Sequence, residues 1–178
     1  VRWNPQTSKF AAFLIKKDID LRSNTKMLYL GAASGSTASH LSKILADGVI
    51  YAVEFSWKPM RKLVELSKGE KNIIPLFFDA NRPEEYTPYV EMVDFIYQDI
   101  AQKNQVEIAN KNAEIFLARG GVLLLMLKTR SIDAVEETKK IASAEIKRLD
   151  EKFNIIDVLK LDPFYKDHVA ILANYDHP

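Results

Sequence analysis

Three acidic residues, Glu54, Asp79 and Asp99, and one basic residue, Lys128, each stand where an apolar, strand-like run gives way to polar sequence. A further run of this kind, KMLYLG (26 to 31), opens directly into Gly31, Ala32, Ala33, Ser34, Gly35 and Ser36, a stretch without bulk. Small residues straight after a strand permit close approach to the backbone, as where a ligand lies on the turn. Glu54 follows the turn at the interval, about 20 residues, at which a carboxylate can take both hydroxyls of a ribose. Asp79 is suited to accept from an adenine amino group with Phe55 against the ring, and Asp99 to face a positively charged portion of the same ligand.

Carboxylates at three successive strand ends disfavour a pyrophosphate. The turn reads G-A-A-S-G rather than G-x-G-x-x-G, so the second phosphate-facing glycine is missing as well. The pattern suits a cationic, sugar-bearing ligand, and S-adenosyl-L-methionine matches it better than a dinucleotide. Gly31, Ala32 and Gly35 of the turn are expected to lie against it.

These residues need a scaffold that brings strand ends together. Apolar and amphipathic segments alternate along the chain, and no repeat, low-complexity tract or Gly/Ser linker interrupts them. Strands are expected at 26 to 31, 49 to 55, from 72, at 93 to 100 and at 120 to 128. Helices are expected at STASHLSKILA, at 57 to about 68, at about 104 to 118 and at 133 to 152. The strand runs are almost continuously apolar, as in parallel strands covered on both faces. NIIDVLKLD (154 to 162) and HVAILANY (168 to 175) are separated only by PFYKD, too short for a crossover helix, which predicts an antiparallel hairpin. The expected fold is a single α/β domain over 1 to 178. Its Rossmann-like sheet is doubly wound, seven-stranded and mostly parallel, and it ends in an antiparallel hairpin, as in S-adenosylmethionine-dependent methyltransferases.

At 178 residues with 47% hydrophobic content the chain is large enough for one well-buried core. A net charge of +1 gives it little general attraction for phosphates, so a nucleic-acid partner requires local charge or other proteins. The absence of cysteine excludes disulfides and thiolate metal sites. His40, His168 and His177 are too few and scattered for a metal cluster, and no metal is expected. No apolar run approaches the roughly 20 residues of a membrane span. A soluble, intracellular protein is expected. His40 reads as a helix-surface or core residue, Phe77 and Phe78 as core, and EETKKIASAEIKRLDEK (136 to 152) as a solvated helix face with i, i+4 pairs.

Six segments, WNPQTSKFAA (3 to 12), LYLGAASGST (28 to 37), YAVEFS (51 to 56), NIIPLFFDA (72 to 80), MVDFIYQDIAQ (92 to 102) and DPFYKDHVAIL (162 to 172), together resemble fibrillarin. They run in order over nearly the whole chain. The family comprises the S-adenosylmethionine-dependent RNA 2′-O-methyltransferases of box C/D guide ribonucleoproteins. The resemblance implies methyl transfer to the ribose 2′-hydroxyl of guide-selected nucleotides in rRNA or tRNA. It implies cofactor contacts at Ser36, Thr37, Glu54, Phe55, Asp79, Ala80, Asp99, Ala101 and Gln102. The partners it implies are a Nop-domain scaffold protein, a kink-turn-binding ribosomal-type protein, the guide RNA and the substrate RNA. No Gly/Arg-rich tail is present, so the chain resembles the archaeal branch or a trimmed member of the family; a cytoplasmic location is expected for the archaeal type (nucleolar for a eukaryotic member). The family's small N-terminal β region is expected to be absent or trimmed.

Related ribose 2′-O-methyltransferases share a Lys-Asp-Lys-Glu constellation, which maps here onto Lys9, Asp99 and Lys128, with His168 in the fourth place. A lysine with a lowered pKa is one way to assist removal of a 2′-hydroxyl proton. On this mapping Lys128 activates the hydroxyl, Asp99 orients that lysine and the sulfonium end, and Lys9 orients the hydroxyl or a nearby phosphate. Two other readings share the cofactor half of the site: a small-molecule methyltransferase on the same fold, and a non-catalytic ribonucleoprotein scaffold.

Overall fold

The computed structural model describes residues 3–131 and 138–176. It opens with a helix that the strand-helix alternation does not anticipate, α1 (Lys9–Lys16). Ser8 caps it, accepting from the Ala11 amide at 3.3 Å, and Phe10, Ala11, Ala12 and Phe13 are buried. There follow β1 (Lys26–Leu30), α2 (Ser36–Ile44), β2 (Val49–Val53), α3 (Trp57–Ser67), β3 (Ile73–Leu76), β4 (Val93–Gln98), α4 (Gln105–Phe116), β5 (Leu117–Lys128), α5 (Thr138–Asp150), β6 (Phe153–Lys160) and β7 (His168–Tyr175). The expected start of α5 lies partly outside the described residues.

The seven strands lie in the order β3-β2-β1-β4-β5-β7-β6. The five on the β3 side run parallel, while β7 is antiparallel to both β5 and β6, as the short PFYKD connection requires. The chain winds outward from β1 to β3 and then returns to the other side of β1 for β4. This reversal opens a crevice between the carboxyl ends of β1 and β4, the place where ligands bind in doubly wound sheets.

Alternate residues of each strand feed two separate cores. On one face Leu28, Leu30, Val53, Ile96 and Leu125 pack with Val106, Ala109 and Ala113 of α4 and Leu149 of α5. On the other, Met27, Tyr29, Ala52, Tyr97 and Met126 pack with Phe10 and Phe13 of α1, Leu41 of α2 and Met60 and Leu63 of α3. The sheet is thus covered on both sides, which explains its unbroken apolar strands.

The link from β3 to β4 differs from a regular βα unit, because it holds only a 3-10 turn, Pro83–Tyr86. Pro88 follows within NRPEEYTPYVEM and denies a helix one amide donor. The link is pinned instead by Tyr86, fully buried, which donates to the Asn112 side chain and stacks on Phe116 at 5.3 Å. Both sheet edges are partly apolar outside: β3 exposes Ile74 beside Pro75, and β6 exposes Ile156 and Val158.

Phe10 is the keystone of the N-terminal segment. It is fully buried, stacks on Trp3 at 5.4 Å and meets Tyr97 edge-on at 4.9 Å. Phe10→Ala should therefore lower the unfolding free energy by about 3–5 kcal/mol, the usual cost of emptying a buried phenylalanine site, as read by urea denaturation. A loss below about 1 kcal/mol would mean that this helix does not belong to the cooperative core.

Candidate active site

At the end of β1 the chain turns through Gly31, whose φ is +82°, and its amide and that of Ala32 both donate to the Val53 carbonyl at 3.0 Å. A Cβ on Gly31 would stand 2.4 Å from the Asp99 carbonyl oxygen and 2.9 Å from Ile100. What lies against this glycine is first of all the end of β4. Gly35, with φ +87°, precedes α2, and a Cβ there would meet Leu66 at 2.5 Å and Leu63 at 2.8 Å. Its missing side chain makes room for α3. Gly31 is among the described residues lining the cleft, and Gly35 is not.

Glu54 fixes the turn from below. Its Oε2 accepts from the Ala33 amide at 2.9 Å and its Oε1 from the Ser56 amide at 2.7 Å, with the residue 8% exposed. Ala33 itself sits at φ +50°, a conformation few non-glycine residues adopt. A carboxylate has about four acceptor sites, so two remain for vicinal hydroxyls. Asp79 spends Oδ1 on the Asn81 backbone amide at 2.9 Å and its side-chain amide at 3.1 Å, which leaves Oδ2 to accept. The Asn81 side chain also donates to Gln102 at 2.8 Å.

Glu54, Asp79 and Gln102 line a cleft of about 360 Å³ together with Gly31, Phe55, Ala80, Asp99 and Ala101. Phe55 is 57% exposed and offers a ring face at its rim. Ala33, Ser56, Pro59, Phe78 and Ile100 also line it and were not anticipated from strand ends alone. The paired acceptors and apolar walls fit an adenosine, and among the described residues no cation lines the cleft, which disfavours a phosphate chain.

A second chamber of about 510 Å³ adjoins the first across Gly31, Ala33 and Asp99. Ala32, Ser36 and Thr37 border it at the start of α2, where free helix amides favour a carboxylate. Lys9, Asp99, Lys128 and His168 all reach it. Four residues from four elements thus converge, but not in the expected pairing. Asp99 is engaged by Lys9, whose ammonium lies 2.9 Å from both carboxylate oxygens, and not by Lys128. The Lys9 ammonium also lies 5.3 Å from the centre of the Tyr165 ring, a residue outside the expected set.

The α1 helix that carries Lys9 is locked to the ligand turn by a buried 3.0 Å hydrogen bond between the Ser8 and Thr37 hydroxyls. Beneath Asp99 lie Tyr29 and Tyr97, fully enclosed, and burial together with the Asp99 charge holds both phenols well above their ordinary range. They form a neutral floor. His40, on α2, is not part of the chamber and stacks on Trp3 at 5.1 Å.

Lys128 and His168 face each other across β5 and β7. Burial, followed by the Lys9 and Lys128 ammonium groups, pushes the His168 imidazole down to about 4, so it is neutral at neutral pH. This group is lowered in the folded state, so the unfolded chain takes up the proton first. Stability from this source is complete above the ordinary value of 6.5 and declines as pH falls toward about 4. His168→Gln should flatten that part of the decline in urea titrations run at about pH 7 and about pH 4.5; an unaltered pH dependence would mean that the imidazole titrates as if in solvent.

Comparison with known proteins agrees with this geometry. The fibrillarin family model matches residues 1–177. A fibrillarin-like rRNA/tRNA 2′-O-methyltransferase of Methanosarcina barkeri is 48% identical over 176 residues, covering 96% of this chain and 78% of the relative. Among solved structures, a fibrillarin/Nop5p complex matches with a TM-score of 0.95 at 48% identity, over 97% of this chain and 83% of that one. Aeropyrum pernix fibrillarin with natively bound S-adenosyl-L-methionine matches with a TM-score of 0.87 at 45% identity, over 96% and 76%. The chain belongs to the fibrillarin family.

Proposed function

We propose that this protein transfers a methyl group from S-adenosyl-L-methionine to the ribose 2′-hydroxyl of guide-selected nucleotides in rRNA or tRNA, as the catalytic subunit of a box C/D ribonucleoprotein. The observation that carries the proposal is the junction of an adenosine-shaped cleft with a chamber holding two lysines, an aspartate and a neutral histidine. The bound sulfonium supplies an activated methyl group, so the chain's own work is alignment and proton removal.

On this reading Glu54 holds the ribose hydroxyls of the cofactor, Asp79 the adenine amino group, and Phe55 covers the ring. Ser36 and Thr37 at the start of α2 take the amino-acid end, while Ala80, Ala101 and Gln102 shape the walls. Asp99, already bonded by Lys9, is a rigid acceptor beside the methionine portion. Lys128 takes the proton from the 2′-oxygen, and the neutral His168 beside it offers an acceptor that holds the lysine in line. Lys9 sits across the same chamber, where its charge also suits the phosphate next to the target ribose. Much of the acceleration then comes from holding the 2′-oxygen and the methyl group in contact.

A chain with net charge +1 attracts RNA weakly, which supports a division of labour with partner proteins. The fibrillarin/Nop5p complex among its relatives makes a Nop-domain scaffold the first partner to test. The guide RNA and the kink-turn-binding protein follow from the resemblance to box C/D enzymes. The decisive assay is transfer from labelled cofactor to a guide-paired RNA in the assembled particle, with a substrate 2′-deoxy at the target as control. Equal labelling of the deoxy substrate would refute ribose methylation.

Two variants separate the roles. Glu54→Gln retains size, but its single oxygen can serve only one of the Ala33 and Ser56 amides, so cofactor affinity in calorimetry should fall by about 1.5–3 kcal/mol, the range for hydrogen bonds to a charged group. Lys128→Met keeps the stem and removes the amine, and the single-turnover rate should drop roughly 10²- to 10⁴-fold, the span for a general acid-base group, with cofactor affinity unchanged.

A further inference from the structure

Lys128 ends β5 beyond the reach of its parallel neighbour. The last paired residues of β4 and β5 are Gln98 and Leu125, so from Met126 onward no strand among the described residues lies against the β4 side of β5. A strand end exposed in this way needs partners for its amide groups. For Lys128 both come from one side chain: Gln105 Oε1 accepts from the Lys128 amide at 2.8 Å, and Gln105 Nε2 donates to the Lys128 carbonyl at 3.0 Å.

Gln105 is fully buried at the first residue of α4, an unusual place for a long polar side chain unless it is satisfied. Its own carbonyl accepts from the Gln98 side chain at 2.7 Å, and Gln98 is also fully buried. The side chain of the preceding residue, Asn104, does not cap the helix and donates instead to Asn81 at 2.6 Å. Asn81 is bonded to Asp79 and Gln102 in the adenosine-shaped cleft. One chain of amides therefore mounts the adenine end of the cleft and the backbone of Lys128 on the same turn.

The geometry has a consequence for the side chain. Because the Lys128 amide groups face Gln105, they do not face β7, and the Lys128–His168 pair is of the non-hydrogen-bonded kind, with Cα atoms about 4.5 Å apart and side chains close. The backbone bonds of His168 agree, going to Tyr165 and Leu161 at 3.2 and 3.1 Å. We propose that Gln105 is a positioning residue for methyl transfer, its amide fixing the direction in which Lys128 leaves β5 and holding it beside His168. This rests on the reading of Lys128 as the group that takes the 2′-hydroxyl proton.

The test is a double-mutant cycle in the assembled particle at saturating cofactor, read as single-turnover rate. Gln105→Met, similar in length but without the amide, should slow transfer roughly 10- to 100-fold, as expected when a reacting group is misplaced by about an ångström, with cofactor affinity unchanged. In a Lys128→Met background the same change should cost nothing further, because a residue that acts through Lys128 has nothing left to position. A merely structural role would lower stability and add an independent loss in both backgrounds. Gln105→Glu keeps the acceptor for the Lys128 amide, loses the donor, and should fall between wild type and Gln105→Met. If Gln105→Met does not fold, the same cycle run with Gln105→Glu decides. A wild-type rate in the folded Gln105 variants, or an undiminished second loss in Lys128→Met, would overturn the proposal. Should Lys128→Met alone turn over like wild type, it is the catalytic reading of Lys128 that fails, and the clamp loses its object.

Discussion

The contact on which the molecule turns is between two pieces of backbone. Gly31 ends β1 with so little clearance to the Asp99 carbonyl that no side chain fits, and the Asp99 amide donates to Leu30 at 3.0 Å. The two strands that meet there are neighbours in space only because the winding reverses at β1. Closing this point sets the mouth of the cleft on one side and the chamber on the other, and it fixes where the Asp99 carboxylate stands. Everything chemical in the site is measured from that junction.

Charge is then balanced locally. Glu54 and Asp79 are met by backbone and side-chain amides, which hold each carboxylate in place without adding a cation to the adenosine cleft. Asp99 alone receives an ammonium, from Lys9. His168 is kept uncharged by burial and by the two lysines near it. Among the described residues, Lys128 is the chamber's lysine without an ion pair.

Much of this was legible in the chain. Parallel strands buried on both faces write themselves as apolar runs, their ends are where polar residues resume, and the PFYKD link forces a hairpin. The residues that border the cleft at strand termini, Glu54, Asp79 and Asp99, were therefore readable, and the quoted motifs pointed to the family. The partner of Asp99 was not, because Lys9 lies on an eight-residue helix far back in the sequence and only folding brings it near. That helix was hidden because its apolar residues read equally well as an irregular lead-in, although Ser8 before KFAAF is a start signal. What Gly35 makes room for was not legible either, because a small residue looks alike whether it admits a ligand or Leu63 and Leu66 of α3. Gln105 gave no signal at all, since its task is defined by backbone groups on another strand.

The borders of the sheet bear on how this protein meets others. The outer strand β3 carries Pro75, which has no amide to offer an incoming strand, and β6 is interrupted by a register shift between Ile155 and Asp157. Asp157 also turns one oxygen onto the Val158 amide at 2.9 Å and pairs with Lys17. Both rims thus discourage strand addition, the route by which exposed sheets polymerise.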